Sequence, residues 1–95
     1  MNVVIISASH RLESNSEKIA TYCQTTLNTM YPQINSQVVS LSQNPLPLWQ
    51  DPLSDQGQKT WDQYQKKLLD CHALVVVTPE WHGMTPAGLK NFFLQ

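Results

Sequence analysis

Val3-Val4-Ile5-Ile6 is an unbroken run of β-branched residues, and it limits what the chain can become more than any other segment. A strand that alternates apolar and polar residues keeps one face in water. A strand that is apolar at every position needs cover on both faces, which is the situation of an inner strand in a parallel sheet. Downstream, from Ser16, the residues Ile19, Ala20, Cys23, Leu27 and Met30 recur at spacings of three and four, with Lys18, Gln24 and Asn28 between them. That period predicts an amphipathic helix ending before Pro32. Val3 to Met30 therefore reads as strand, polar loop and helix.

The same alternation continues. Gln37 to Leu41 is expected to be a short second strand, and Ser42 to Ser54 a proline-punctuated loop whose Leu46, Leu48 and Trp49 pack down. Ser54 or Asp55 can cap a second helix running to about Cys71, with Trp61, Tyr64 and Leu68 on one face. Ala73 to Val77 is expected to be a second buried strand. Thr85 and Pro86 read as the cap and first residue of a helix from Ala87 to Gln95. The order β-α-β-α-β-α points to an α/β fold with a parallel sheet and right-handed crossovers. In a flavodoxin-like strand order, 2-1-3-4-5, these are strands 2, 1 and 3, and the third would be an exposed edge. Residues 1–95 are then expected to be the N-terminal part of a single larger domain.

Composition narrows the function classes. The charged fraction is 14% and the net charge −1, so there is no electrostatic footprint for nucleic acid or an anionic membrane. No apolar stretch approaches the roughly 20 residues of a membrane span, and Met1 to Ile6 lacks the regions of a signal peptide. A cytoplasmic protein is expected. Cys23 and Cys71 fall at apolar helical positions with no CxxC spacing, which reads as two inert thiols rather than a disulfide or metal site.

The first loop, Ser7-Ala8-Ser9-His10-Arg11-Leu12-Glu13-Ser14-Asn15-Ser16, concentrates hydroxyls, an amide and the chain's one arginine before a helix N-terminus. Unpaired N–H groups and the positive end of the helix dipole suit an anion there, and a guanidinium fork matches phosphate geometry. Without glycine the loop is neither GxGxxG nor a Walker loop, so a terminal monoester phosphate fits it better than a pyrophosphate. The rival reading is structural: Ser14-Asn15-Ser16-Glu17 is a capping box, and a serine there can simply cap the helix. His10 and Glu13 are expected to be solvated.

The loop after the third strand holds Pro79, Glu80, Trp81, His82 and Gly83. Open α/β sheets bind ligands outside the carboxyl ends of their strands near the point where strand order reverses, and this loop would lie there. Its backbone N–H groups could face a planar ligand. Alternatively, Trp81 and His82 are an exposed aromatic pair at an oligomer contact. His82 and Glu80 alone are too few for a metal site.

With both loops in view, the chain resembles the NADPH-dependent FMN reductase family, which includes quinone, azo and chromate reductases. Ser9 to Ser16 is similar to the family's Gly-Ser-x-Arg-x-x-Ser-x-Asn phosphate loop. Thr78-Pro79-Glu80-Trp81-His82-Gly83-Met84-Thr85-Pro86-Ala87-Gly88-Leu89-Lys90-Asn91 is similar to Thr-Pro-Glu-Tyr-Asn-Gly-x-x-Pro-x-x-Leu-Lys-Asn, and Leu46-Pro47-Leu48 looks like the Leu-Pro-Leu after the family's second strand. The departures are Ala8 for Gly, Ser16 for Asn, Trp81 for Tyr and His82 for Asn. The resemblance implies a flavodoxin-like fold and FMN as cofactor. Ser9, Arg11, Ser14, Asn15 and Ser16 would sit at the phosphate, and Pro79, Glu80, Trp81, His82 and Gly83 along the isoalloxazine. It implies hydride transfer from NADPH or NADH to the flavin and on to a small acceptor such as a quinone, with no obligatory catalytic side chain, in a homodimer or homotetramer. Two alternatives remain open: a flavodoxin-like electron carrier, and a non-enzymatic fragment with weak flavin binding or none.

Overall fold

A computed structural model describes residues 1–11, 13–43, 45–46, 54–81 and 83–94 of the chain, with the side chain of residue 94 excepted. The β-branched run lies within a strand, β1 (Asn2–Ser7), and the elements follow as α1 (Asn15–Met30), β2 (Asn35–Ser40), α2 (Asp55–Asp70), β3 (Ala73–Val77) and α3 (Ala87–Leu94). The sheet has the order β2-β1-β3, and both pairings are parallel: Ile5 of β1 lies beside Val38 on one side and Val75 on the other. This is a flavodoxin-like arrangement, and it puts β1 at the centre, where its unbroken apolar sequence requires it to be.

Alternate residues of β1 feed two cores. Val4 and Ile6, with Ala8 just beyond the strand, face a cluster with Tyr64, Leu89 and Phe92, against which Trp61, Leu68 and Cys71 also pack. Val3 and Ile5 face Ala20, with Cys23 and Leu27 of α1 closing over them. Ile5 and Ile6 are fully buried, so truncating either to alanine removes about 2–5 kcal/mol. The aromatic face expected of α2 is the face that packs. On α1 Ser16 and Ala20 are buried and Cys23 and Leu27 partly so, while the expected members Ile19 and Met30 lie outside this line, 52% and 64% exposed.

Three other expectations shift. β2 begins at Asn35 rather than Gln37 because polar residues enter the ladder: the Asn35 N–H donates to the Met1 carbonyl at 2.9 Å. Ser36 then gives its hydroxyl to Asn28 Oδ1 at 2.9 Å. β3 is not buried as a strand covered on both faces would be. Among the described residues it pairs only with β1, and Ala73, Leu74 and Val75 are exposed, as the edge position in a 2-1-3 order requires. Pro86 is the residue before α3 rather than its first: its carbonyl accepts the Lys90 N–H at 3.3 Å, so the proline occupies the cap position expected of Thr85.

Candidate functional site at the carboxyl edge of the sheet

Two loops leave the same edge side by side. The Leu41 N–H donates to the Ser7 carbonyl at 3.1 Å, and the Ala8 N–H donates to the Val77 carbonyl at 2.9 Å. The first loop therefore rises between the ends of β2 and β3, and its neighbour on one flank is the loop after β3. This is the place where the strand order reverses, the position favoured for ligands in open α/β sheets.

In the first loop, serine hydroxyls already make local bonds. Ser9, 1% exposed, accepts the Arg11 N–H on Oγ at 3.1 Å, which curls the chain back over its own start. Ser14 is the N-cap of α1, accepting the Glu17 N–H at 3.1 Å. The capping box expected here is completed differently, because the Glu17 carboxylate accepts the Ser42 hydroxyl at 2.9 Å and Ser42 meets Ser40 at 3.0 Å. Ser16 is buried in the first turn; Arg11, Glu13 and Asn15 are exposed. Glu13 takes a positive φ of 55°, the left-handed conformation that turns the chain into the Ser14 cap.

Capping and anion binding, posed above as rivals, are compatible at these serines. A hydroxyl accepts with a lone pair and donates with its hydrogen, so Ser9 and Ser14 each keep an O–H after receiving a backbone N–H. Ser7 adds a residue that motif spacing did not single out. It is fully buried at the end of β1, on the α1 side by alternation from Ile5, and its Oγ has no hydrogen-bond partner among the described residues. A buried hydroxyl left unpaired in the free protein is a donor that a ligand can use. A groove of about 430 Å³ runs beside the same turn, lined by Glu13, Ser14, Glu17, Lys18 and Thr21.

The second loop is a tight turn. Trp81 and Met84 exchange backbone hydrogen bonds of 2.9 and 3.0 Å, and Gly83 supplies the left-handed φ of 75° that the reversal needs. The Trp81 N–H, expected to face a ligand, is thus consumed within the turn. The N–H groups of Glu80 and Gly83 have no partner among the described residues, while Pro79 and Trp81 are half-buried. His82, Pro47, Leu48 and Trp49 lie outside the described residues.

His10 ties the first loop to α3 and lies beside the second loop. Its Nε2 accepts the Gly88 N–H at 2.6 Å, and its ring lies 6.1 Å from that of Trp81, inclined at 42°. The histidine expected to be merely solvated is exposed but tied down. Local sequence carries no sign of a partner 78 positions away.

Two further features lie at the opposite edge of the sheet. A cleft of about 250 Å³, lined by residues including Asn2, Asn35, Lys66, Lys67 and Asp70, opens at the amino ends of the strands. His72 is there too, its Nδ1 accepting the Asn2 N–H at 3.0 Å. No group of three or more His, Cys, Asp or Glu able to hold a metal occurs among the described residues, and no described helix is long and apolar enough to cross a membrane.

Comparisons with known proteins agree with this layout. The sequence model of the family described as NADPH-dependent FMN reductase matches residues 1–94. No curated protein sequence matches the chain. Among solved structures, the crystal structure of the azoreductase AzrA superimposes with a TM-score of 0.73 at 18% identity, over 97% of this chain and 53% of that one. The likeness is one of fold, and the chain spans about half the length of that neighbour.

Proposed function

Because the chain belongs to the NADPH-dependent FMN reductase family, we propose that its two carboxyl-edge loops form the phosphate and ring ends of an FMN site in an NAD(P)H-dependent oxidoreductase. The observation that carries this is the junction of the loops. The hydroxyl-rich loop and the Pro79–Gly83 loop emerge beside each other at the switch point, and His10 of the first is bonded to Gly88 of α3 with its ring beside Trp81 of the second.

The residues present suit the group. Ser9, Ser14 and Ser16 offer O–H donors, Ser7 has a buried unpaired hydroxyl, Arg11 supplies the exposed cation, and Asn15 stands at the first helical position. Together with the positive end of the 16-residue α1, they would hold a phosphate monoester. Pro79, Glu80, Trp81, His82 and Gly83 would lie along the isoalloxazine, with the backbone N–H groups of Glu80 and Gly83 as donors toward developing negative charge. When bound, the flavin supplies hydride acceptance from a nicotinamide and delivery of electrons to a small acceptor such as a quinone. The protein's share is position, charge and exclusion of water, so no side chain is assigned as an acid or base.

Titration of the purified chain with FMN tests this. Uptake of one FMN per chain with perturbed flavin absorbance, followed by steady NADH or NADPH oxidation, is the expected result. Uptake without nicotinamide oxidation would identify an electron carrier. A protein that leaves the FMN spectrum unchanged would lack the site altogether.

A further inference from the structure

We propose that His10 is a positioning residue that caps α3 from the first loop and thereby holds the two loops at a fixed separation. α1 and α2 are each capped locally, by Ser14 on the Glu17 N–H and by Ser54 on the Gly57 N–H, both at 3.1 Å. α3 has no such residue. Its cap position is Pro86, whose side chain can accept nothing, and among the described residues Thr85 makes no hydrogen bond to the helix. The opening N–H groups of a helix need acceptors from elsewhere. One of them, on Gly88, finds His10 Nε2 at 2.6 Å.

Gly88 fits this role sterically as well. A Cβ at Gly88 would overlap Nε2 and Cε1 of the imidazole, so the close approach depends on glycine there. The bond also fixes the chemistry of the ring. Only an unprotonated Nε2 accepts, so the proton of the neutral imidazole resides on Nδ1. Packing against Trp81 sets the ring's other side toward the second loop. The contact therefore bridges residues 10, 81 and 88, one from each of the three segments at the carboxyl edge.

The consequence for ligand binding rests on the FMN reading: a ligand that reaches both loops feels the separation, and one that reaches only the second loop does not. His10→Ala should weaken FMN about fivefold, the value of one ordinary hydrogen bond, and riboflavin much less. His10→Gln, which keeps an acceptor near the Nε2 position, should restore FMN affinity.

The contact is tested independently of flavin by amide hydrogen exchange and thermal melts of the full chain. Exchange at Gly88 should quicken about fivefold in His10→Ala and stay near the wild-type rate in His10→Gln. Gly88→Ala should lower the melting midpoint in the wild-type background but raise it in His10→Ala, where the ring is gone and alanine is the better helix former. Unchanged Gly88 exchange in His10→Ala, or the same sign for Gly88→Ala in both backgrounds, would overturn the proposal. Equal weakening of FMN and riboflavin would overturn its ligand consequence. If the wild-type protein takes up no FMN, the functional reading falls, and exchange and melting still decide the cap.

Discussion

The Oγ of Ser14 accepts the backbone N–H of Glu17 at 3.1 Å, so a hydroxyl proposed to meet an incoming phosphate is also what starts α1. The two duties separate by substitution. Ser14→Ala removes the cap and should cost about 1 kcal/mol of stability. Ser14→Asp keeps a good cap, so its stability should stay within about 0.5 kcal/mol of wild type, but it replaces the O–H donor with a negative charge. FMN affinity should fall at least tenfold in Ser14→Asp. Urea melts and flavin titration of the pair read this, and normal FMN binding by the aspartate variant would remove Ser14 from the phosphate site.

Arg11 makes a different contribution. Its side chain is exposed, so Arg11→Ala should leave the melting temperature nearly unchanged. FMN should weaken by about 1.5–3 kcal/mol through loss of a charge-assisted contact, while riboflavin, which lacks the phosphate, should bind as before. Parallel titrations with the two flavins provide the check, and equal losses would make Arg11 a structural residue.

Ser7 invites the opposite experiment. Its buried Oγ has no partner among the described residues, so Ser7→Ala removes an unsatisfied group and should leave the free protein as stable or up to about 1 kcal/mol more stable. With FMN bound the order should reverse, because the variant lacks a donor. Melting midpoints with and without saturating FMN would show the crossing.

Tyr64 makes stability fall at alkaline pH. It is 3% exposed beneath α3, 6.2 Å from the Phe92 ring, and burial pushes its phenol up from 10.0 to about 12. Between those values the unfolded chain loses the proton while the folded chain keeps it, so stability is full below pH 10 and falls as pH rises toward 12. The loss should be on the order of 2 kcal/mol. Denaturant melts across that window, with tyrosinate absorbance followed alongside, measure it.

The parts of this molecule that were legible in the sequence are those where each residue's surroundings come from its own element. Val3 to Ile6 announces a strand covered on both sides, and Trp61, Tyr64 and Leu68 announce one face of a helix; both were found. Where the partner is remote, the sequence is silent. Asn35 and Ser36 look like loop residues until Met1 and Asn28 are seen to bond them. Pro86 looks like a first helical residue because nothing nearby marks it as a cap. The hydroxyl-rich loop and its cap on α1 follow from local residues, but its attachment to α3 through His10 depends on a contact between residues far apart in the chain.

The central position of β1 also bears on how the chain comes to be folded. Asn2 to Ser7 is synthesised before both of its partners, residues 35–40 on one side and 73–77 on the other. Neither pairing can form from a local turn, because parallel neighbours need a crossover between them. After residues 35–40 arrive, β1 therefore keeps one hydrogen-bonding edge open until residues 73–77 emerge, and such non-local pairing slows folding. A chaperone that recognises short extended apolar segments would have its best opportunity at Val3 to Ile6, before Ala73 to Val77 arrives to close that edge.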